Sequence, residues 1–334
     1  MSQCELLLTG FADEASESKL VAEQFSVVSA LGLKYLSLRF IDAGNGIKNA
    51  MDLNPDEIGV VQRELKRFDL QVSSLGSPIG KVKLFDFDDG TSNQFFEVDD
   101  YLENHVHKAC RLAQSFGTKL IRGFSFYHPR GEKPQQYVAD AASRLASISE
   151  ICDEYGLTFG LEVEANLIGQ NAEMLTQIHN AVDSNAMVLI FDGANLVTQG
   201  FSTAEIVEQF SQMLPALGWI HIKDYSSNTT GEKLDYVDEE SLNRFVPAGE
   251  GDSDYLTILK MLAENYPAIK SRLDARGIVG VFADLEPHLR QGGQFGGYSG
   301  PDGFGVAARA FVALCENASV RCELTTLEEM SNRC

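Results

Sequence analysis

Basic side chains, paired cysteines and long apolar runs are all scarce in this chain. Lysine and arginine make up only 27 of its 334 residues against 48 aspartates and glutamates, a formal charge of −21. Such a field repels phosphate backbones and anionic headgroups, which excludes nucleic acid and membrane surfaces as expected partners. No apolar stretch approaches the roughly twenty residues of a spanning helix. The six cysteines (Cys4, Cys110, Cys152, Cys315, Cys322 and Cys334) contain no C-x-x-C pair and are scattered, which argues against a disulfide framework. The opening MSQCELLLTGFADEA has no basic n-region and meets Asp13 and Glu14 after a short apolar run. No signal peptide is expected, and a cytoplasmic location is. The acceptor triplets at Asn228 and Asn317 then carry no meaning.

What the chain does have is 44% hydrophobic residues, enough to bury a large core. Short β-branched or leucine-rich runs alternate with stretches of helical apolar spacing. Eight runs read as strands: Glu5–Gly10, Leu33–Phe40, Gln71–Ser77, Lys119–Phe126, Leu157–Val163, Met187–Asp192, Trp219–Lys223 and Ile278–Glu286. Helical spacing follows them, as in Ser16–Leu31, Pro55–Phe68 and Asp99–Phe116. Gly32, Gly117, Gly156, Gly218 and Gly277 each stand just before a strand, where a helix C-cap calls for a left-handed residue. Eight βα units predict parallel pairing and an α/β fold, a single (β/α)8 TIM barrel spanning residues 1–334. The irregular stretches 77–98, 225–251 and 287–303 all follow strand ends and would build its active-site face.

Four polar side chains end four successive apolar strands: Glu162 in FGLEVEAN, Asp192 in VLIFDGAN, His221 in GWIHIKD and Glu286 in VGVFADLEP. An ionisable group on a buried strand is costly unless paired or metal-bound. If period-two alternation turns all four inward, their heads converge, and three carboxylates with one imidazole suit Mn²⁺, Mg²⁺ or Co²⁺, and also Zn²⁺. A single acid at a strand end is more often a helix cap, so the quartet carries the argument. Glu164 shares parity with Glu162, and Asp284 with Glu286, so either could be the ligand instead.

The order Glu, Asp, His, Glu, together with GFADEAS, SLGSPIGK, IHIKD, VPAGEGD and LEPHL, resembles the xylose isomerase-like TIM-barrel superfamily of sugar phosphate isomerases and epimerases. The resemblance spans most of the chain and is unspecific for a substrate. It implies that Glu162, Asp192, His221 and Glu286 bind one divalent metal, and that Glu162 and Glu286 also transfer protons on opposite faces of a ketose. The chemistry would be epimerisation or isomerisation of a sugar or cyclitol through an enediolate. An inosose-type dehydratase on the same site, a non-catalytic sugar-binding barrel and a three-zinc endonuclease of abasic sites are the alternatives. The last needs more histidines and a basic surface, and both are missing. Acidic barrels of this kind often pair through their active-site-face loops, so a homodimer is expected.

Ketose 3-epimerases of the superfamily carry a histidine where this chain has Asn195 and an arginine where it has Ser227. Their substrate clamp is therefore not reproduced. Asn195 can still bond a sugar hydroxyl, and the other candidate anchors are Arg39, Lys81, Arg122, Lys223 and His288. Lys223 would hold a substrate oxyanion or pair with an acid such as Glu250, while Arg39 and Arg122 also read as ion pairs of the barrel mouth. The glycine-rich run Gly292–Gly305 reads as a phosphate cradle, a glycine-hinged lid or a tight packing loop, and no lysine or arginine lies within it.

Overall fold

The computed structural model of the protein describes residues 4–228, 231–293, 296–326 and 328–329. Eight parallel strands form the barrel: β1 (Glu5–Gly10), β2 (Tyr35–Leu38), β3 (Gln71–Gly76), β4 (Leu120–Gly123), β5 (Thr158–Glu162), β6 (Met187–Asp192), β7 (Leu217–Ile222) and β8 (Val281–Leu285). Around them run α1 (Val21–Ala30), α2 (Pro55–Phe68), α3 (His107–Ser115), α4 (Val138–Glu154), α5 (Ala172–Val182), α6 (Thr203–Met213), α7 (Tyr255–Ala275) and α8 (Gly300–Asn317). β1 pairs with β8 from Leu6↔Val281 to Gly10↔Leu285, whereas β1 and β2 meet only through the parallel bridge Phe11↔Ser37. A short β9 (Arg321–Glu323) lies on the open edge of β1, Glu5 against Arg321, and covers backbone groups left unpaired at that seam.

β1 and β6 coincide with the expected strands, β7 begins two residues before its expected start at Trp219 and stops one short of Lys223, and the others begin or stop one to three residues inside the apolar runs. Four of the five glycines placed before strands take left-handed backbone, Gly32, Gly117, Gly156 and Gly277. Gly218 does not. It lies within β7, where a Cβ would meet the Val188 side chain at 2.4 Å, so close packing of β7 on β6 rather than helix capping calls for glycine there. The expected helix over Asp99–Phe116 contains a π-helical stretch, Leu102–Val106, between two α-helical pieces. Of the expected face loop 287–303, residues 294–295 lie outside the described residues.

The barrel interior is filled beneath its mouth. Gly160 and Trp219 share parity with Glu162 and His221, and a Cβ at Gly160 would stand 2.0 Å from the Trp219 ring and 2.8 Å from Ile190. Inside the barrel, Asp284 accepts a 2.5 Å hydrogen bond from Ser37 Oγ, which continues to Ser73 Oγ at 3.0 Å and on to Thr9 at 2.7 Å. At the mouth, buried Asp224 gathers the turn that follows β7, accepting from the backbone N–H of Gly249, Gly251 and Ser253 at 2.9, 3.1 and 3.2 Å. Gly251 has no room for a side chain against that carboxylate, 2.3 Å from where its Cβ would be. This explains the VPAGEGD phrase as architecture.

The contact between Gly160 and Trp219 gives a stability test. Gly160→Ala overpacks the interior, so urea denaturation should show a loss of about 1–3 kcal/mol. An unchanged midpoint would mean that the indole does not pack where the structure places it.

Candidate active site

The ends of four consecutive strands, β5 to β8, each deliver one polar head to the mouth. β5 ends on Glu162 and β6 on Asp192, His221 is the penultimate residue of β7, and Glu286 follows β8 directly. Register aligns them, with Asp192 beside His221 on β7 and His221 beside Asp284 on β8. One donor atom from each of Glu162, Asp192, His221 and Glu286 lies within 4.8 Å of the others, all fully buried. His221 Nδ1 stands 3.1 Å from Glu162 Oε1, 3.6 Å from Glu286 Oε2 and 3.9 Å from Asp192 Oδ2. Asp192 plays two parts. Its Oδ1 caps the short helix Gly193–Val197 by accepting from Asn195 N–H at 3.1 Å, which leaves Oδ2 for the site.

The alternatives of equal parity fall elsewhere. Glu164 lies one step outward and pairs with Lys81 at 3.4 Å, and Asp284 lies one step inward with Ser37. Burial pushes the Asp284 carboxyl up to about 6. Glu164 is raised to about 8 by burial, which Lys81 only partly offsets and which the Glu239 and Glu162 charges reinforce. Depth along the strand thus separates one ionised glutamate from a neighbour held neutral at pH 7.

Three carboxylates this close need positive charge. Burial opposes a charged imidazole at His221, but Glu162 and Glu286 outweigh it and hold its proton up to about 10. Burial likewise disfavours ionised carboxyls, yet His221 and Arg122 keep Glu162 below its ordinary range. Lys223, then His221 and Arg39, keep Glu286 well below its own. Asp192 is the exception, raised by burial despite Lys223. Among the described residues, Glu162 Oε2 and Asp192 Oδ2 are buried without an aligned hydrogen bond, although Lys223 Nζ stands 2.8 Å from the latter as an ion pair. Three oxygen donors and one nitrogen, two of those oxygens without an aligned donor, form a set that fits a hard divalent cation.

The candidate anchors surround the cluster as its counter-ions. Lys223 pairs with Asp192 and, at 3.1 Å, with Glu286, not with Glu250. Arg39 reaches Glu286 at 2.5 Å, Asp13 at 3.2 Å and Glu14 at 3.5 Å, so it is the mouth ion pair. Arg122 Nε is 3.5 Å from Glu162. His288 Nδ1 is 2.7 Å from Glu14, and Asn195 Nδ2 donates to Val163 O at 3.1 Å and weakly to Glu162 at 3.4 Å. All of these side chains, with Lys81, still line the mouth cavity of about 60 Å³, so their polar atoms are fixed before a substrate enters. Sequence reasoning named GFADEAS as a phrase but gave Asp13 and Glu14 no role. Their buried carboxylates hold Arg39 and His288, and the signal was there: two adjacent acids directly after an apolar strand.

Comparison with known proteins places this geometry in a family. The profile described as xylose isomerase-like TIM barrel matches residues 25–271, and the chain belongs to that family. An inosose dehydratase of Clostridium botulinum (strain Eklund 17B / Type B) is 30% identical over 225 residues, covering 63% of this chain and 71% of the relative. Among solved structures, the IOLI protein with a bound zinc atom superposes with a TM-score of 0.64 at 14% identity, covering 94% of this chain and 99% of that one. D-psicose 3-epimerase with D-tagatose from Clostridium cellulolyticum H10 gives 0.59 at 14% identity, covering 95% and 100%. Both structures share the fold.

The imidazolium gives a pH dependence. His221 holds its proton to about 10 in the fold against an ordinary 6.5. The folded state binds the proton more tightly, so this contribution is complete below the lower value and lost as pH rises towards the higher. Glu164, about 8 against 4.5, acts in the same direction over its own range. In chelator, the unfolding free energy should fall between about pH 6 and about pH 9.5 by at least about 1.4 kcal/mol, the equivalent of one pKa unit. A flat urea-denaturation profile across that window would contradict the charged imidazole.

Proposed function

We propose that this member of the xylose isomerase-like family is a divalent-metal-dependent enzyme that moves a proton on the carbon next to the ketone of a sugar or cyclitol. The observation that supports this reading is the convergence of Glu162, Asp192, His221 and Glu286 from four consecutive strand ends. Those four residues would hold one ion, Mn²⁺, Mg²⁺ or Co²⁺, with Zn²⁺ also within the reach of the donor set. When bound, the ion supplies polarisation of the ketone and stabilisation of the negative charge that develops when the neighbouring C–H loses its proton.

The protein groups handle the protons. Glu162, held ionised by His221 and Arg122, is placed to take one, and Glu286, held ionised by Lys223 and Arg39, is the second base. A proton taken by one carboxylate and returned by the other to the opposite face inverts the carbon, and return to the adjacent carbon isomerises the sugar. Inversion needs the second carboxylate to arrive at that step as the acid, so it must first take up a proton from solvent, whereas isomerisation can return the proton that the first carboxylate already carries. Asn195 and His288 are each held by a protein acceptor, so they are set to position a substrate hydroxyl. Arg39 and Arg122 keep the two bases in place.

A dehydratase is the second reading. It rests on the relative that is 30% identical, an inosose dehydratase. The enediolate would then expel a hydroxyl in place of accepting the proton back, and the Lys81–Glu164 pair on the cavity wall is the candidate acid for the leaving oxygen.

The test is elemental analysis of the purified protein, followed by deuterium exchange from solvent into ketoses and inososes. One equivalent of divalent metal and exchange abolished by chelator are expected. Glu162→Gln and Glu286→Gln should each lower exchange by about 10²–10⁴. Exchange without loss of water supports the isomerase or epimerase, and loss of water supports the dehydratase. Sugar binding with no exchange in the metal-loaded protein would overturn the enzyme reading in favour of a binding barrel.

A further inference from the structure

The mouth cavity has a larger neighbour. A second cavity of about 460 Å³ lies outside it, and the two share Glu239 as a common wall. Its sides are the loop after β4 around His128 and Arg130, Asn166 just past β5, and the segment 234–240 from the loop after β7. Asn166 ties this together. Its Nδ2 donates to Val237 O at 2.8 Å and to Glu239 Oε1 at 3.2 Å, and its Oδ1 accepts from Val237 N–H at 2.8 Å. The outer cavity is therefore anchored to the strand end that carries Glu162 and Glu164.

The chemistry of the lining narrows what could sit there. Its lining carries the acids Asp89, Glu132, Asp235, Asp238, Glu239 and Glu240 against the cations Arg130 and Lys133, an excess of negative charge that disfavours a phosphate or a carboxylate ligand. Nor do these acids form a cation site, because among the described residues no three of them bring donor atoms within 4.8 Å of one another. Lys83 already holds Asp89 at 2.9 Å. At the rim, Leu234 and Tyr236 keep 51% and 47% of their surface open, unusual for large apolar side chains. The Arg130 guanidinium lies 4.3 Å from the Tyr236 ring centre, which fixes the ring in place. Many hydrogen-bond acceptors beside a fixed aromatic face suit a neutral ring that bears hydroxyl donors on its edge and C–H groups on its face.

From these observations we infer that the outer cavity is a second sugar subsite, so that the reacting keto-sugar enters as the terminal ring of a glycoside whose next ring packs on Tyr236. The idea rests on the sugar chemistry proposed above for the inner site, which the outer cavity adjoins at Glu239. The inner ring would meet Lys223 and Glu286, and the linkage would pass Glu239 into the larger space.

Ligand-observed NMR on the full-length protein tests the subsite without turnover, using cellobiose, maltose, trehalose and sucrose against glucose. At least one disaccharide should bind about tenfold or more tighter than glucose, and Tyr236→Ala and Asp238→Asn should each remove most of that advantage. Circular dichroism would confirm that these surface variants fold. Affinities no better than that of glucose for all four disaccharides, or an advantage that survives both substitutions, overturns the subsite. The deuterium-exchange assay separates the two ideas. Disaccharide preference lost in Tyr236→Ala without exchange into any ketose upholds the subsite and sinks the proposed chemistry. Exchange into free ketoses, with no gain for their glycosides and no preference to lose, does the reverse.

Discussion

Three carboxylates held within a few ångströms of one another, out of water, are the constraint around which this protein is arranged. In a medium of low effective dielectric their mutual repulsion amounts to several kcal/mol per pair, and it must be cancelled where it arises. The barrel does this with cations from different strands: the His221 proton and the Lys223 ammonium on and just past β7, Arg122 on β4 and Arg39 just past β2. Arg39 in turn is held by Asp13 and Glu14, and Glu14 also holds His288. The mouth is thus a lattice of alternating charge, and each member is fixed because its neighbours are.

That arrangement depends on a rigid frame. Strand parity turns the heads inward, Trp219 fills the volume beneath them against Gly160, and the Asp224 carboxylate locks the turn after β7 through three backbone N–H groups. A looser barrel would let the acids part and take up water, and the raised or lowered proton affinities would relax towards ordinary values. The chain carries a charge of −21, yet its mouth concentrates much of its buried positive charge.

Much of this was legible in the sequence because it follows from local rules. Apolar runs with glycine at the helix ends disclose eight βα units, and Gly32, Gly117, Gly156 and Gly277 take the left-handed backbone that their position demands. Polar residues at the ends of strands five to eight disclose the quartet. Depth along a strand was not legible: Glu164 and Glu162 have the same parity, and only the pairing of β5 with its neighbours and the position of Lys81 decide which one meets His221. Gly218 misled because the same residue serves a left-handed cap and a tight strand contact. Asp13 and Glu14 were overlooked because what makes them important, Arg39 and His288, lies far away in sequence.

Charge balance also bears on the anchors that sequence reasoning nominated. Lys81 faces a Glu164 held neutral at pH 7, but Arg39, Arg122 and Lys223 also line the mouth cavity, and each of these three already has an ionised carboxylate partner. A phosphorylated sugar would have to strip one of them from its partner and leave a buried carboxylate uncompensated, a loss on the order of 3–5 kcal/mol for a buried pair. A divalent cation would do the opposite, since on binding it would take the place of the His221 proton and relieve the repulsion among Glu162, Asp192 and Glu286. The lattice therefore favours the arrival of positive charge together with a neutral hydroxylated molecule and disfavours an anion. In the glycine-rich stretch after β8, Gly297 lies so close to the His288 ring that a side chain would have no space there.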